Sequence, residues 1–115
     1  ASLIQPYPQT SLLEENALIA LLGNNDKQAL ALYKALLEEN PNNAVAAYSL
    51  CRLYSRMKNE SEAEKWLQKS IRSGFNYKYI LQYDPDIEFL RKQSSWKKNM
   101  ALLTSPRTYT DYHKE

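Results

Sequence analysis

The chain has 115 residues, of which 43% are hydrophobic and 24% charged, and its formal net charge is +2. This length fits a single domain, and the composition excludes a disordered polymer and a protein embedded in a membrane. A single cysteine, Cys51, and a single histidine, His113, exclude an intramolecular disulfide and a cysteine-based zinc site.

Two glycines in the whole chain leave no glycine-rich phosphate loop, and the frequent Ala, Leu, Glu, Lys and Gln favour helices. We therefore predict an all-α fold. Pro6 and Pro8 predict an extended arm over residues 1–10. The predicted helices then cover 12–22, 27–39, 44–57, 62–72, 77–83, 85–92 and 96–103. Residues 104–115 have no apolar period and are predicted to form a flexible tail.

Capping residues set the predicted helix boundaries. Ser11 and Asp26 are predicted N-caps of the first two helices, and Ser61 with Glu64 has the spacing of a capping box. The sequences Gly23-Asn24-Asn25 and Ser73-Gly74 are predicted helix ends, because glycine and asparagine tolerate the left-handed C-terminal position. Asp84 is predicted to cap a helix that has Pro85 at its first position.

An internal repeat appears when the sequence is shifted by 34 residues. The shift places Ala29 on Ala63, Tyr33 on Leu67 and Asn25 on Asn59. Each unit would be two short helices joined by a polar turn. Small residues such as Cys51 and Ala63 would let paired helices approach closely, while larger apolar side chains fill the space between them. We therefore predict a stack of helical hairpins.

The repeat resembles a tetratricopeptide repeat. Residues 44–77 contain Ala47-x2-Leu50-Cys51-x2-Tyr54, then Ala63-x3-Leu67, with Phe75 where the family usually has proline. Residues 11–43 resemble the family in their second half and form a degenerate first repeat. Residues 78–103, read with Gly74 and Phe75, resemble a closing segment found in bacterial tetratricopeptide proteins. The resemblance implies a superhelix of two antiparallel hairpins followed by an irregular helical cap.

Catalytic and metal-binding readings have little support. Cys51 falls on a predicted buried helix face with no nearby histidine in sequence, so a structural role is expected. Asp84, Asp86 and Glu88 imitate the start of a calcium loop, but that loop's required glycine is replaced by Phe89. We expect no enzyme activity, no cofactor and no metal site.

Charge is distributed unevenly along the chain. Residues 1–43 carry a net charge of −3, residues 44–73 carry +3 and residues 74–115 carry +2. The family resemblance would place Tyr48, Arg52 and Ser55 on the concave face, with Arg56 four residues beyond Arg52. An aromatic ring beside a planar cation suits an acidic or C-terminal peptide. The alternative is a solvated arginine face against which Tyr48 packs locally.

The first helix is apolar nearly all round, so both of its faces need cover. Leu18 and Leu21 would form an apolar floor for a ligand if they stay accessible. The cover could also be the N-terminal arm, or a second copy of the chain. A chaperone-type carboxylate clamp is not expected, because the matching places hold Glu14, Leu18 and Ser49.

The sequence thus predicts a non-catalytic protein-interaction module that binds an extended peptide or a helix in a groove. One alternative is a scaffold subunit that self-associates through its first helix, and another is an accessory domain of a larger bacterial protein. A nucleic-acid partner is not expected, because a net charge of +2 falls short of a basic footprint. The compartment, cytoplasm or bacterial periplasm, stays open.

Overall fold

The computed structural model describes residues 9–104, and side chains from Leu12 onward. The predicted arm, apart from its last two residues, and the tail beyond Thr104 lie outside the described residues. The part described contains seven α-helices and no strand. They are α1 (Gln9–Leu22), α2 (Asp26–Glu39), α3 (Ala44–Arg56), α4 (Glu60–Arg72), α5 (Lys78–Tyr83), α6 (Glu88–Arg91) and α7 (Trp96–Met100), with a 3-10 turn at Pro85–Ile87 before α6.

The helices repeat with the period that the sequence predicted. Helix α1 ends at Leu22 and α3 ends at Arg56, each 34 residues apart, and the second helices of the two hairpins start with the same offset. The turn residues Asn24 and Lys58 share this offset and both have a φ of 60°. The all-α prediction of two hairpins followed by a helical cap is therefore confirmed.

Close packing between α3 and α4 explains the second hairpin. Cys51 and Ala63 are fully buried, which lets the two helix backbones approach each other. Leu50 and Leu67, also fully buried, fill the volume between them. In the first hairpin the equivalent of Ala63 is Ala29, which is also fully buried. The repeated small residues thus do in the structure what their spacing predicted.

Some predicted helix starts were wrong by one or two residues. Helix α1 begins at Gln9, so Ser11 lies inside it and not at its N-cap. The N-cap of α4 is Asn59, whose side chain accepts a hydrogen bond from the backbone amide of Glu62 at 3.3 Å, so Ser61 does not open a capping box. An asparagine just before the helix supplies the same side-chain acceptor two residues earlier. Asn25, and not Asp26, likewise occupies the N-cap position of α2.

The cap begins as a third repeat and then departs from it. Helix α5 starts at Lys78, 34 residues after the start of α3 at Ala44, but it ends at Tyr83. Asp84 caps the following 3-10 turn, as predicted, by accepting a hydrogen bond from the amide of Asp86 at 2.9 Å. Pro85 lacks the amide that would continue α5 and forces the residue before it out of helical geometry. The chain therefore turns back and packs on α3.

Candidate functional site

A groove of about 630 Å³ opens between α1, α3 and α5. Helix α3 contributes most of its floor, α1 contributes Leu18, and α5 contributes the opposite side. Its lining residues are Leu18, Tyr33, Val45, Tyr48, Ser49, Arg52, Phe75, Tyr77, Tyr79, Ile80, Tyr83, Asp84 and Pro85. The groove exists because α5 starts in the register of a third repeat, which places its first residues beside those of α3.

Several apolar side chains project into the groove without being covered. Val45 is 61% exposed, Leu18 47% and Tyr83 67%. A second part of the cavity, about 280 Å³ in volume, shares Leu18, Tyr33 and Val45 with the first and extends it past Glu14 and Asn43. The two parts form one continuous surface from the start of α3 to the start of the cap.

The floor beneath these side chains is aromatic and rigid. The rings of Tyr48 and Phe75 stack with centroids 4.3 Å apart, and Tyr77 meets the edge of Phe75 at 5.3 Å. The Tyr48 hydroxyl donates a hydrogen bond to Asp84 Oδ2 at 2.5 Å. Burial raises the pKa of Tyr48, and the neighbouring Asp84 carboxylate raises it further, so this hydroxyl stays protonated.

An arginine–aspartate cluster, consisting of Arg52, Arg56, Asp26, Asp84 and Asp86, lies at the cap end of the groove. Arg52 donates from Nη2 to Asp86 Oδ2 at 2.7 Å, and its Nε lies 3.3 Å from Asp84 Oδ2. Arg56 donates to the Asp86 carboxylate from Nε and Nη2, both at 3.1 Å. Its Nη1 reaches Asp26 at 2.8 Å and the Leu21 carbonyl oxygen at 3.1 Å.

These contacts stabilise the charged forms of both partners. Burial alone would raise the pKa of Asp86, but the hydrogen bonds from Arg56 and Arg52 outweigh it and lower that pKa. Burial alone would lower the pKa of Arg56, but Asp86 and Asp26 outweigh it and raise that pKa. With all five groups ionised, the cluster carries a net charge of −1, so the arginines present no excess positive charge to a ligand.

Three of the six residues proposed from the sequence line the groove: Leu18, Tyr48 and Arg52. Leu21 is fully buried and Ser55 is 1% exposed, so both belong to the core. Arg56 lines a separate depression with Lys58 and Phe89. Neither a solvated arginine face nor a pair awaiting a ligand carboxylate describes the structure, because both guanidinium groups are bound by aspartates of the same chain.

Sequence reasoning missed Val45, Tyr79 and Tyr83, although the repeat contained a signal for two of them. Tyr79 stands 34 residues after Val45, and Tyr83 stands 34 residues after Ser49. Both Val45 and Ser49 line the groove on α3. Extending the period across Gly74 into the cap would have placed the two tyrosines on the same surface.

Groups with nucleophilic or metal-binding chemistry are accounted for elsewhere in the fold. Cys51 is a buried free cysteine, as predicted, and burial followed by the Asp84 charge raises the pKa of its thiol. His113 lies outside the described residues. Within residues 9–104, no group of three or more His, Cys, Asp or Glu side chains could hold a metal ion. No helix of this part of the chain is long and apolar enough to cross a membrane.

Comparison with known proteins agrees with this architecture. The tetratricopeptide repeat family matches residues 24–81, a stretch that includes α2, α3, α4 and the first turn of α5. Neither the curated proteins nor the solved structures that were searched gave a match. The match covers half of the chain, and its bounds contain both sides of the 34-residue repeat. The chain belongs to the tetratricopeptide repeat family.

Proposed function

We propose that the chain is a non-catalytic module that binds a helix or an extended segment of a partner protein in the groove. Tetratricopeptide repeats generally mediate protein–protein interaction and are typically non-catalytic. The groove is the finer part of the proposal, and the fold alone does not assign it.

One observation carries the proposal: exposed apolar side chains converge on an open cavity that has a rigid floor. Val45 and Tyr83 keep 61% and 67% of their surface in contact with water. Burying such side chains against a partner contributes roughly 25 cal/mol per Å² of apolar surface. The stacked Tyr48 and Phe75 beneath them are held in place before a ligand arrives, which lowers the ordering cost of binding.

The chemistry of the lining residues supports binding and not catalysis. The Tyr48 hydroxyl stays protonated, and the Cys51 thiol is fully buried. Arg52 is held by aspartates of its own chain. No described residue of the groove combines a nucleophile with a general base at hydrogen-bonding distance, which is the arrangement that covalent catalysis needs.

A second candidate is self-association through α1. Ile19 is 64% exposed and Leu22 65% exposed, and both lie outside the lining of the groove. These side chains would form the contact surface of a self-associating scaffold subunit. An accessory domain of a larger bacterial protein would use the same groove, so that reading makes the same prediction as the first.

One experiment separates the groove from the α1 face. A phage-displayed library of random peptides is selected on the immobilised chain, and selected peptides are titrated against wild type, Val45→Asp and Ile19→Asp by fluorescence anisotropy. The two replaced residues are β-branched and have nearly equal exposed fractions, so they are matched. We expect Val45→Asp to weaken binding by about tenfold or more, and Ile19→Asp to leave it unchanged.

The opposite pattern would contradict the proposal. If peptides bind both variants as well as wild type, the groove does not bind them. If Ile19→Asp instead lowers the molar mass measured by light scattering at increasing protein concentration, the chain self-associates through α1. A change in the far-UV circular dichroism spectrum of either variant identifies misfolding, and Val45→Ser then replaces Val45→Asp as the milder change.

A further inference from the structure

We infer that the segment bound in the groove has an apolar core and a lysine or arginine at the end that lies over Glu14. This inference rests on the proposed function and specifies the chemistry of the ligand. The observations that carry it are the charges along the two parts of the groove and the state of the two arginines.

The cap end of the groove does not attract an acidic ligand. Arg52 is the cation that lines this end, and its side chain is 22% exposed. It already contacts Asp84 and Asp86, which are 9% and 22% exposed. A ligand carboxylate would have to displace carboxylates that are held beside Arg52 at high effective concentration by the chain itself. It would also bring a further negative charge to a cluster whose net charge is already negative.

The other end of the groove carries an uncompensated negative charge. Glu14 lines the extension past Asn43, and its side chain is exposed. Among the described residues, the remaining lining of that extension is uncharged: Leu18, Tyr33, Leu36, Asn43, Val45 and Ala46. Glu14 therefore faces the ligand with its charge open, where a cation gains attraction and an anion meets repulsion.

The surroundings of Glu14 have the same sign. Residues 12–43, which include the first hairpin, contain five acidic and two basic residues. Of the acidic groups, Asp26 is paired with Arg56 and lies away from the groove lining. A net negative hairpin raises the local concentration of basic segments and steers them during association. The middle of the groove, with Leu18, Val45 and Ile80, provides the apolar contacts between the two ends.

The test uses the same phage-displayed library of random peptides on three forms of the chain: wild type, Glu14→Lys and Glu15→Lys. Glu15 is the matched control, because it is the next residue on α1, is also exposed and does not line the groove. We expect peptides selected on wild type and on Glu15→Lys to carry lysine or arginine on one side of an apolar core. Selection on Glu14→Lys should lose that preference.

Individual peptides give the magnitude. Replacing the basic residue of a selected peptide by glutamate should weaken its binding to wild type by about three- to tenfold, since exposed ion pairs are modest and the change reverses the charge. The same replacement should not weaken binding to Glu14→Lys. Raising the salt concentration should reduce the wild-type preference.

The outcomes separate the two proposals. Peptides that need Val45 but show no charge preference, or an acidic one, overturn the basic-end inference and leave the groove function standing. An equal effect of Glu15→Lys shows that general charge, and not Glu14 in the groove, sets the preference, and also overturns the inference. Selected peptides that bind the Val45→Asp variant as well as wild type overturn both proposals.

Discussion

The two hairpins are built from the same 34-residue unit, yet they are buried to different degrees. In α3, buried side chains occupy most positions from Ala46 to Ser55, because α2 and α4 cover one side and the cap covers another. In α1, side chains such as Ile19 and Leu22 stay exposed. The difference shows that a repeat unit supplies helices with suitable faces, while its place in the stack decides which faces are covered.

Arg56 joins the two regions. It extends from the last turn of α3 to the Leu21 carbonyl at the end of α1, to Asp26 at the start of α2 and to Asp86 in the cap. A single guanidinium thus ties the less buried hairpin and the cap to the centre of the fold. Its several donors in a rigid fork suit this role, which lysine could not fill.

The largest effect is expected where the second hairpin is packed most tightly. Leu67→Ala should lower the free energy of unfolding by about 2–5 kcal/mol, because the side chain is fully buried and its removal leaves a cavity. The matched change Leu22→Ala in α1 should cost less than about 0.5 kcal/mol, because that leucine is 65% exposed. Urea unfolding of both variants measures the contrast. Equal losses would mean that the outer face of α1 is covered in solution, and the comparison would fail.

An intermediate effect is expected at the residue that joins the regions. Arg56→Met keeps an apolar stem but removes every donor, so it should destabilise the fold by about 1–3 kcal/mol and leave two carboxylates without this partner. Amide hydrogen exchange should quicken at the end of α1 and in the 3-10 turn. Arg72→Met, an exposed arginine in α4, is the control and should change little. If exchange quickens only within α3, Arg56 does not tie the regions together.

The smallest effect concerns acid stability. The arginines lower the pKa of Asp86 below its ordinary value of 3.8, so the folded state favours its carboxylate. That contribution is fully present above about pH 4 and is lost as the pH falls through the lowered pKa. Asp86→Asn should therefore lose less stability than wild type between about pH 5 and pH 3, although it is less stable at pH 7 by an amount on the order of 1 kcal/mol.

Urea midpoints at several pH values across this range measure the acid effect. Glu88→Gln is the control, since Glu88 is 62% exposed and pairs only with Lys92 one turn away. Parallel pH profiles for wild type and Asp86→Asn would show that the cluster does not link the cap to α3 through the charge of Asp86. A flatter profile for Glu88→Gln as well would assign the effect to general charge.

The groove was only partly predictable, for reasons that individual residues show. Leu18, Tyr48 and Arg52 were placed on it by the repeat pattern, and the structure agrees with their position. The burial of Ser55 and Leu21 depends on how closely the cap and α2 approach, which helix periodicity does not specify. The partners of Arg52 and Arg56 lie 30–34 residues along the chain, beyond any local rule of pairing.

The sequence by itself determined the helices, their period and most of their ends. Helical propensity, asparagine caps and small residues at Cys51 and Ala63 act within a few residues or between neighbouring helices, so they can be read from the order of residues. Only the tertiary structure decided that Asp84 and Asp86 neutralise the arginines and that Tyr79 and Tyr83 reach the groove. Both outcomes depend on where Pro85 redirects the chain after α5, and that direction is settled by packing of Ile87 and Leu90 into the core.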